Sequence, residues 1–179
     1  LDTLNKAAST WPVANLLDRD PDGLLPRVNV SIKVSALYSQ LDPIDPQGSL
    51  KALKERLRPL FRRALAEGAF LYLDMEQYLF KDLTLAVFRE LLEEKDLVPF
   101  EHAGIVLQAY LRDTQKDLKD LLRWAQERKR RITVRLVKGA YWDYETVLAE
   151  QEGWPCPVFL HKHETDQAYE AATSLLLEH

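Results

Sequence analysis

Two cations, a carboxylate and an amide recur at one kind of place in this sequence. Lys33, Asp74, Gln108 and Arg135 each stand near the carboxyl end of a run that alternates as a β-strand does. A set of that composition suits a polar or anionic ligand. It does not make a hydrolytic triad: no Ser or Cys stands beside a His in a nucleophile motif, and no G-x-G-x-x-G or Walker loop is present. Each residue alone has a structural explanation: Lys33 on a sheet edge, Asp74 at a loop start, Gln108 satisfying backbone groups. Jointly they are harder to explain that way, because a buried Lys, Asp and Arg must pair with one another or with a ligand. Nearby, Gly139 leaves room for a flat ligand to approach the backbone. Tyr141 and Trp142 are placed either to stack on rings or to enter the core of the following helix. Within "RLVKGAYWD" (135–143), Lys138 falls on the opposite register from Arg135 and reads as structural.

Four segments have strand character: 27–36, 69–75, 103–110 and 131–139. Their alternation puts Val30, Ile32, Leu71, Leu73, Ile105, Leu107, Val134 and Leu136 on apolar faces and the four chemically capable residues on the other side. Between them, 50–67, 82–94 and 114–128 carry apolar residues at three- and four-residue steps. Gly68 is a candidate C-cap, Asp113 or Thr114 an N-cap, and 166–177 reads as a further helix. Strand starts 30 to 40 residues apart with a helix in each gap imply successive βα units, an α/β class and a parallel sheet. A closed (βα)₈ barrel takes about 250 residues, so the chain supplies about half of one; a small open doubly wound sheet fits the length without a shortfall. Both architectures bind ligands at the carboxyl ends of their strands, where the four residues converge. Residues 1–26 read as a helix followed by the polar loop "DRDPDG".

The 179 residues are 46% hydrophobic and 29% charged, which suffices for one ordinary core. A net charge of −4 argues against a nucleic-acid surface, and "ERKRR" (127–131) reads as a solvated helix terminus. Cys156 is the single cysteine, which leaves no intramolecular disulfide or cysteine-rich metal site and fits a reducing, cytoplasmic compartment. No run approaches the roughly 20 apolar residues of a membrane span. The sequence begins at Leu, without signal-peptide character, and is expected to be an excerpt. "HKH" at 161–163, with Glu164 or Asp166, raises a metal reading that lacks a third well-spaced ligand.

Five stretches, "VNVSIKVSALYSQ", "LYLDMEQY", "GIVLQAYLRD", "VRLVKGAYWDYE" and "KHETDQAYE", together resemble the proline dehydrogenase domain, in particular that of bifunctional proline utilization A proteins. The resemblance runs in order from about residue 27 to the C-terminus. It implies a flavin-binding variant (βα)₈ barrel, of which 27–179 is a part with four to five βα units and 1–26 the helix and loop leading in. The implied reaction oxidises L-proline to Δ1-pyrroline-5-carboxylate by hydride transfer to FAD, with electrons passing to a membrane quinone. NAD would serve a second domain if the parent is bifunctional.

On that resemblance Lys33 pairs with the proline carboxylate, Asp74 organises the substrate site, Arg135 sits near flavin N5 and Tyr141 walls the proline ring. Gln108 hydrogen-bonds the isoalloxazine, Val137 and Gly139 contact the cofactor through the backbone, and Trp142, Lys162 and Thr165 hold its ribityl–adenosine part. Leu160 stands where some relatives have Thr, so one side-chain contact is lost. The family's first barrel strand belongs before residue 1, and its last strands, with a pair of substrate-binding arginines, belong after residue 179; the segment alone is therefore expected to be inactive. Peripheral attachment at the inner membrane face and homo-oligomerisation fit the family, with no nucleic-acid contact from this segment. Two rivals stand beside this reading. One is a metal-dependent barrel hydrolase using Asp74, Glu76, His161 and His163. The other is a non-catalytic scaffold in which Lys33, Asp74 and Arg135 form only a salt-bridge network. Asp74 and Glu76 are equally well explained as salt-bridge partners of Lys33 and Arg135.

Overall fold

The computed structural model describes residues 1–21 and 23–179. The chain opens with α1 (Asp2–Ser9) and an antiparallel ribbon of β1 (Arg19–Asp20) and β2 (Gly23–Leu24). Next come β3 (Asn29–Ile32), the short α2 (Val34–Leu37) and the long α3 (Pro46–Glu67). A second unit is β4 (Phe70–Leu73), a 3₁₀ turn at Tyr78–Phe80 and α4 (Lys81–Leu92), and a third is β5 (Ala103–Gln108) with α5 (Thr114–Arg128). The last comprises β6 (Thr133–Val137), α6 (Trp142–Glu152) and α7 (Lys162–Leu177). Strands β3, β4, β5 and β6 lie side by side in that order, each neighbouring pair parallel, which makes the class α/β as expected.

The sheet is two-faced. Ile32, Leu71, Leu73, Ala103, Ile105 and Leu107 join the core with Leu53, Leu57, Phe61 and Ala64 of α3 and Val87, Phe88, Leu91 and Leu92 of α4. Helix α3 is well specified. Asp45 accepts from the Gly48 N–H at 2.9 Å, Pro46 occupies the first turn, and Gly68 ends the helix at φ 64°. Pro59 costs one intrahelical bond but faces solvent, and the buried stripe carries the helix past it. A surface ladder of Lys54–Glu90, Arg58–Glu94 and Arg62–Asp96, at 2.8, 2.7 and 2.5 Å, sets α3 against α4 and the turn that follows it and adds little energy. The core does the holding.

The ends of the elements differ from the sequence reading. Strand β3 stops at Ile32, so Lys33 caps α2, and Val34 and Ser35 are helical. Helix α7 begins at Lys162, four residues earlier than expected. Part of the expected "DRDPDG" loop is the β1–β2 ribbon, although Asp22 lies outside the described residues. The basic run is not simply solvated. Arg128 is half-buried and donates to the carbonyls of Leu92, Leu97, Val98 and Phe100, at 3.2, 3.3, 2.8 and 3.0 Å, closing the turn after α4. Burial pulls its pKa below the ordinary arginine value without threatening its charge.

On the other face of the sheet, β5 contributes Gly104, and the Tyr72 ring lies across it. A Cβ at Gly104 would fall within that ring's contact distance. Arg128→Met should strip four carbonyls of their donor and cost about 2 kcal/mol in urea denaturation, with Arg128→Lys recovering less than half. Gly104→Ala should cost about 1–3 kcal/mol by the same measurement, because Tyr72 must move.

Candidate active site

Asp74 lies one residue beyond β4, and its N–H donates to the Ile32 carbonyl at 2.9 Å. Lys33 therefore stands beside it, one residue beyond β3. Gln108 is the last residue of β5, opposite Val137, and Arg135 lies two residues deeper on β6, opposite Val106. The four do share one side of the sheet, but not one height. Arg135 spans the difference: its guanidinium passes over the Tyr72 ring, 5.5 Å from the centroid, and pairs with the Asp74 carboxylate. The same Asp74 oxygen accepts from the Ser31 hydroxyl at 2.6 Å.

Lys33 is exposed and, among the described residues, its ammonium has no hydrogen bond or ion pair. Glu76 pairs with neither cation, contrary to the sequence reading; it accepts from the Ser35 hydroxyl and N–H. Helix α2 turns Ser35 toward it, so this buried carboxylate is satisfied locally. Gln108 is 2% exposed, and its Oε1 is buried without a partner among the described residues. A buried acceptor left over at a strand end is a place for a ligand N–H. Its backbone carbonyl accepts from the Thr114 hydroxyl, which joins the end of β5 to the start of α5.

A second grouping lies past the ends of β5 and β6. Segment 157–159 returns to the β5 end: Arg112 N–H donates to Pro157 O at 2.9 Å, and Phe159 N–H to Tyr110 O at 2.8 Å. This brings Leu160, Lys162 and Thr165 opposite Lys138, Gly139 and Trp142 around a cleft of about 320 Å³. Gly139, Trp142, Lys162 and Thr165, distant in sequence, thus line one cleft. Trp142 is fixed by its Nε1–H bond to Phe159 O, 2.8 Å.

Gly139 adopts φ 131°, and the group packed on its Cα is the Tyr110 ring, which a Cβ would strike. Tyr141 is the half-buried N-cap of α6, and its carbonyl accepts from Glu145 N–H at 2.9 Å. Val137 lines β6 with its carbonyl taken by Ala109 N–H at 2.7 Å.

Around these groups the carboxylates are committed elsewhere. Asp166 holds Lys138 and Lys162, which keep its pKa below the ordinary range. Glu164 accepts from His161 N–H at the start of α7. The His161 and His163 rings stack 5.6 Å apart, and no cluster of three metal-ligating side chains exists among the described residues.

Beneath the site, Lys81 is buried with Asp117 at 2.7 Å, Asp82 at 2.9 Å and Asp113 at 3.5 Å. Burial alone would lower its pKa, but the carboxylates outweigh that and raise it. Tyr78 donates to Asp113 at 2.7 Å; burial and that bond push its hydroxyl up to about 12. This network pins the starts of α4 and α5 where the strand ends open.

Three contributors were not singled out as site residues from the sequence: Ser31, Tyr72 and Gly104. Ser31 shares the Lys33 face by alternation, and a glycine inside a strand signals close approach, so both carried a usable signal. Among the described residues no helix is long and apolar enough to cross a membrane.

The whole chain, residues 1–179, matches the family model described as proline dehydrogenase. The bifunctional protein PutA of Salmonella typhimurium is 32% identical over 156 residues, which cover 87% of this chain and 12% of that protein. The proline dehydrogenase of Deinococcus radiodurans is 39% identical over 66% of this chain and 34% of its own length. Among solved structures, proline utilization A from Bdellovibrio bacteriovorus, inactivated by N-propargylglycine, superposes with a TM-score of 0.96 at 51% identity, covering 99% of this chain and 18% of that one. The chain thus spans a minor part of the relatives it matches. Parallel βα units, polar strand ends and a full-length family match agree: this chain belongs to the proline dehydrogenase family.

Proposed function

We propose that this chain is part of an FAD-dependent enzyme that oxidises L-proline to Δ1-pyrroline-5-carboxylate. On this reading residues 27–179 are four βα units of its barrel and residues 1–26 the lead-in. The observation that carries it is the composition of the open strand ends: an unpaired Lys33 beside an Asp74–Arg135 pair, with the orphaned Gln108 acceptor on the neighbouring strand. Proline presents a carboxylate and a secondary amine, and N-propargylglycine, which inactivates the Bdellovibrio protein, presents the same two groups.

The residues present fit the cofactor. Gln108 Oε1 offers an acceptor to a ring N–H, and the cleft between Gly139, Trp142, Lys162 and Thr165 offers an aromatic wall and an ammonium to the dinucleotide half. FAD, when bound, supplies the two-electron acceptor that no side chain here provides. Lys33 holds the substrate carboxylate through a charge-assisted bond, which orients the ring. Asp74 holds Arg135 in place across Tyr72, and Arg135 keeps spare N–H donors for negative charge that develops nearby. Tyr141 would close one side of the substrate space, and the backbone of Val137 and Gly139 would help hold the flavin. Electrons leave to a membrane quinone, the protein being cytoplasmic and peripheral at the inner membrane face. An NAD-dependent second domain accords with the relatives named bifunctional, and homo-oligomerisation is part of the same proposal.

Anaerobic titration of the full-length protein with L-proline should bleach its flavin absorption; a colourless protein that needs a divalent metal for turnover would refute this reading. Lys33→Met should raise KM for proline by about tenfold to a hundredfold, the worth of one charge-assisted bond, while leaving the melting temperature within about 2 °C. The scaffold reading requires the reverse, lost stability with unchanged KM.

A further inference from the structure

Lys138 lies outside the Arg135–Asp74 group, yet its side chain is paired beyond β6. Its ammonium pairs with one oxygen of Asp166, whose other oxygen accepts from Lys162 at 2.5 Å. Lys138 and Lys162 line one cleft from two elements, and Asp166, next to the lining residue Thr165, joins them. Lys138 adjoins Gly139 and Trp142 in the turn from β6 to α6, whereas Lys162 and Asp166 lie four residues apart in the first turns of α7. Hydrogen bonding to Asp166 also raises the Lys138 pKa, so the pairing is between full charges.

Without Lys138, Asp166 and Lys162 would form an isolated i,i+4 pair, flexible and close to neutral. With it, the carboxylate is shared between two ammoniums and the trio keeps a net charge of +1. The Lys162 side chain is then tied, through Asp166, to the end of the sheet. We propose that Lys138 is a positioning residue: through Asp166 it fixes the Lys162 ammonium at the cleft and keeps it available to an anionic group, the phosphates of the dinucleotide, without contacting them itself. This rests on the reading that the cleft takes FAD.

The test is FAD binding to the apoprotein of the full-length enzyme, followed by quenching of flavin fluorescence. Lys138→Met should weaken binding about fivefold, and Lys138→Arg should restore most of it. In a protein already carrying Asp166→Asn, adding Lys138→Met should change affinity less than about twofold, because its effect runs through that carboxylate. An unchanged affinity for Lys138→Met overturns the proposal, as does an equal loss in both backgrounds, which would mean direct contact. A wild-type apoprotein that fails to quench FAD fluorescence at all would instead sink the reading on which the proposal rests.

Discussion

An arginine on β6 and a carboxylate past β4 are separated by the whole width of β5, roughly 9–10 Å from strand to strand, and they meet because β5 has no side chain at Gly104. The Tyr72 ring fills that gap, and the Arg135 guanidinium lies over the ring on its way to Asp74. A flat aromatic face is a favourable surface for a guanidinium, so the ring supports the cation as well as spacing it. Register makes the arrangement possible: Tyr72 lies opposite Gly104, and Arg135 one residue pair further along at Val106. Slipping either pairing by one residue would turn Tyr72 or Arg135 to the helix-covered face. The apolar face against α3 and α4 fixes that register, and so the core, not the polar cluster, sets where the charges sit.

Much of this was legible in the sequence because period-two alternation is a strong signal where one face is buried. The centres of all four main strands, their apolar faces and three of the long helices were read correctly. Ends were read less well, for a physical reason. Whether Lys33 continues a strand or caps a helix depends on α2 offering Ser35 to Glu76, a contact between residues 41 apart that no local pattern encodes. Arg128 is similar: a basic run at a helix end normally faces solvent, and only the turn after α4, folded back over it, supplies carbonyls that draw it inward. The role of Lys138 was invisible because its partner lies 28 residues away on another element.

The two polar groupings have the same charge arithmetic. On the open face, Lys33 and Arg135 stand with Asp74; at the cleft, Lys138 and Lys162 stand with Asp166. In each, two cations accompany one carboxylate, which leaves one unit of positive charge: at the cleft Asp166 pairs with both lysines, whereas on the open face Asp74 pairs with Arg135 alone and Lys33 stays unpaired. Fully paired groups would be electrostatically closed to an anion, and wholly unpaired ones would be costly to gather in one place. The intermediate state suits anions that come and go, and on the proposed function these are an amino-acid carboxylate at one grouping and a phosphate at the other.

That symmetry explains why one stretch, residues 135–143, carries so much. Lys138 follows Arg135 by three positions, which in an extended chain places them on opposite sides, so one strand end can serve both groupings. Gly139 then turns the chain at a φ that L side chains rarely adopt and admits the Tyr110 ring against its Cα, which brings Trp142 to the cleft wall on the next helix. Replace the glycine with any larger residue and the ring, the turn and the tryptophan cannot all keep their places. The charges flanking it would then be aimed at two sites that no longer share a wall.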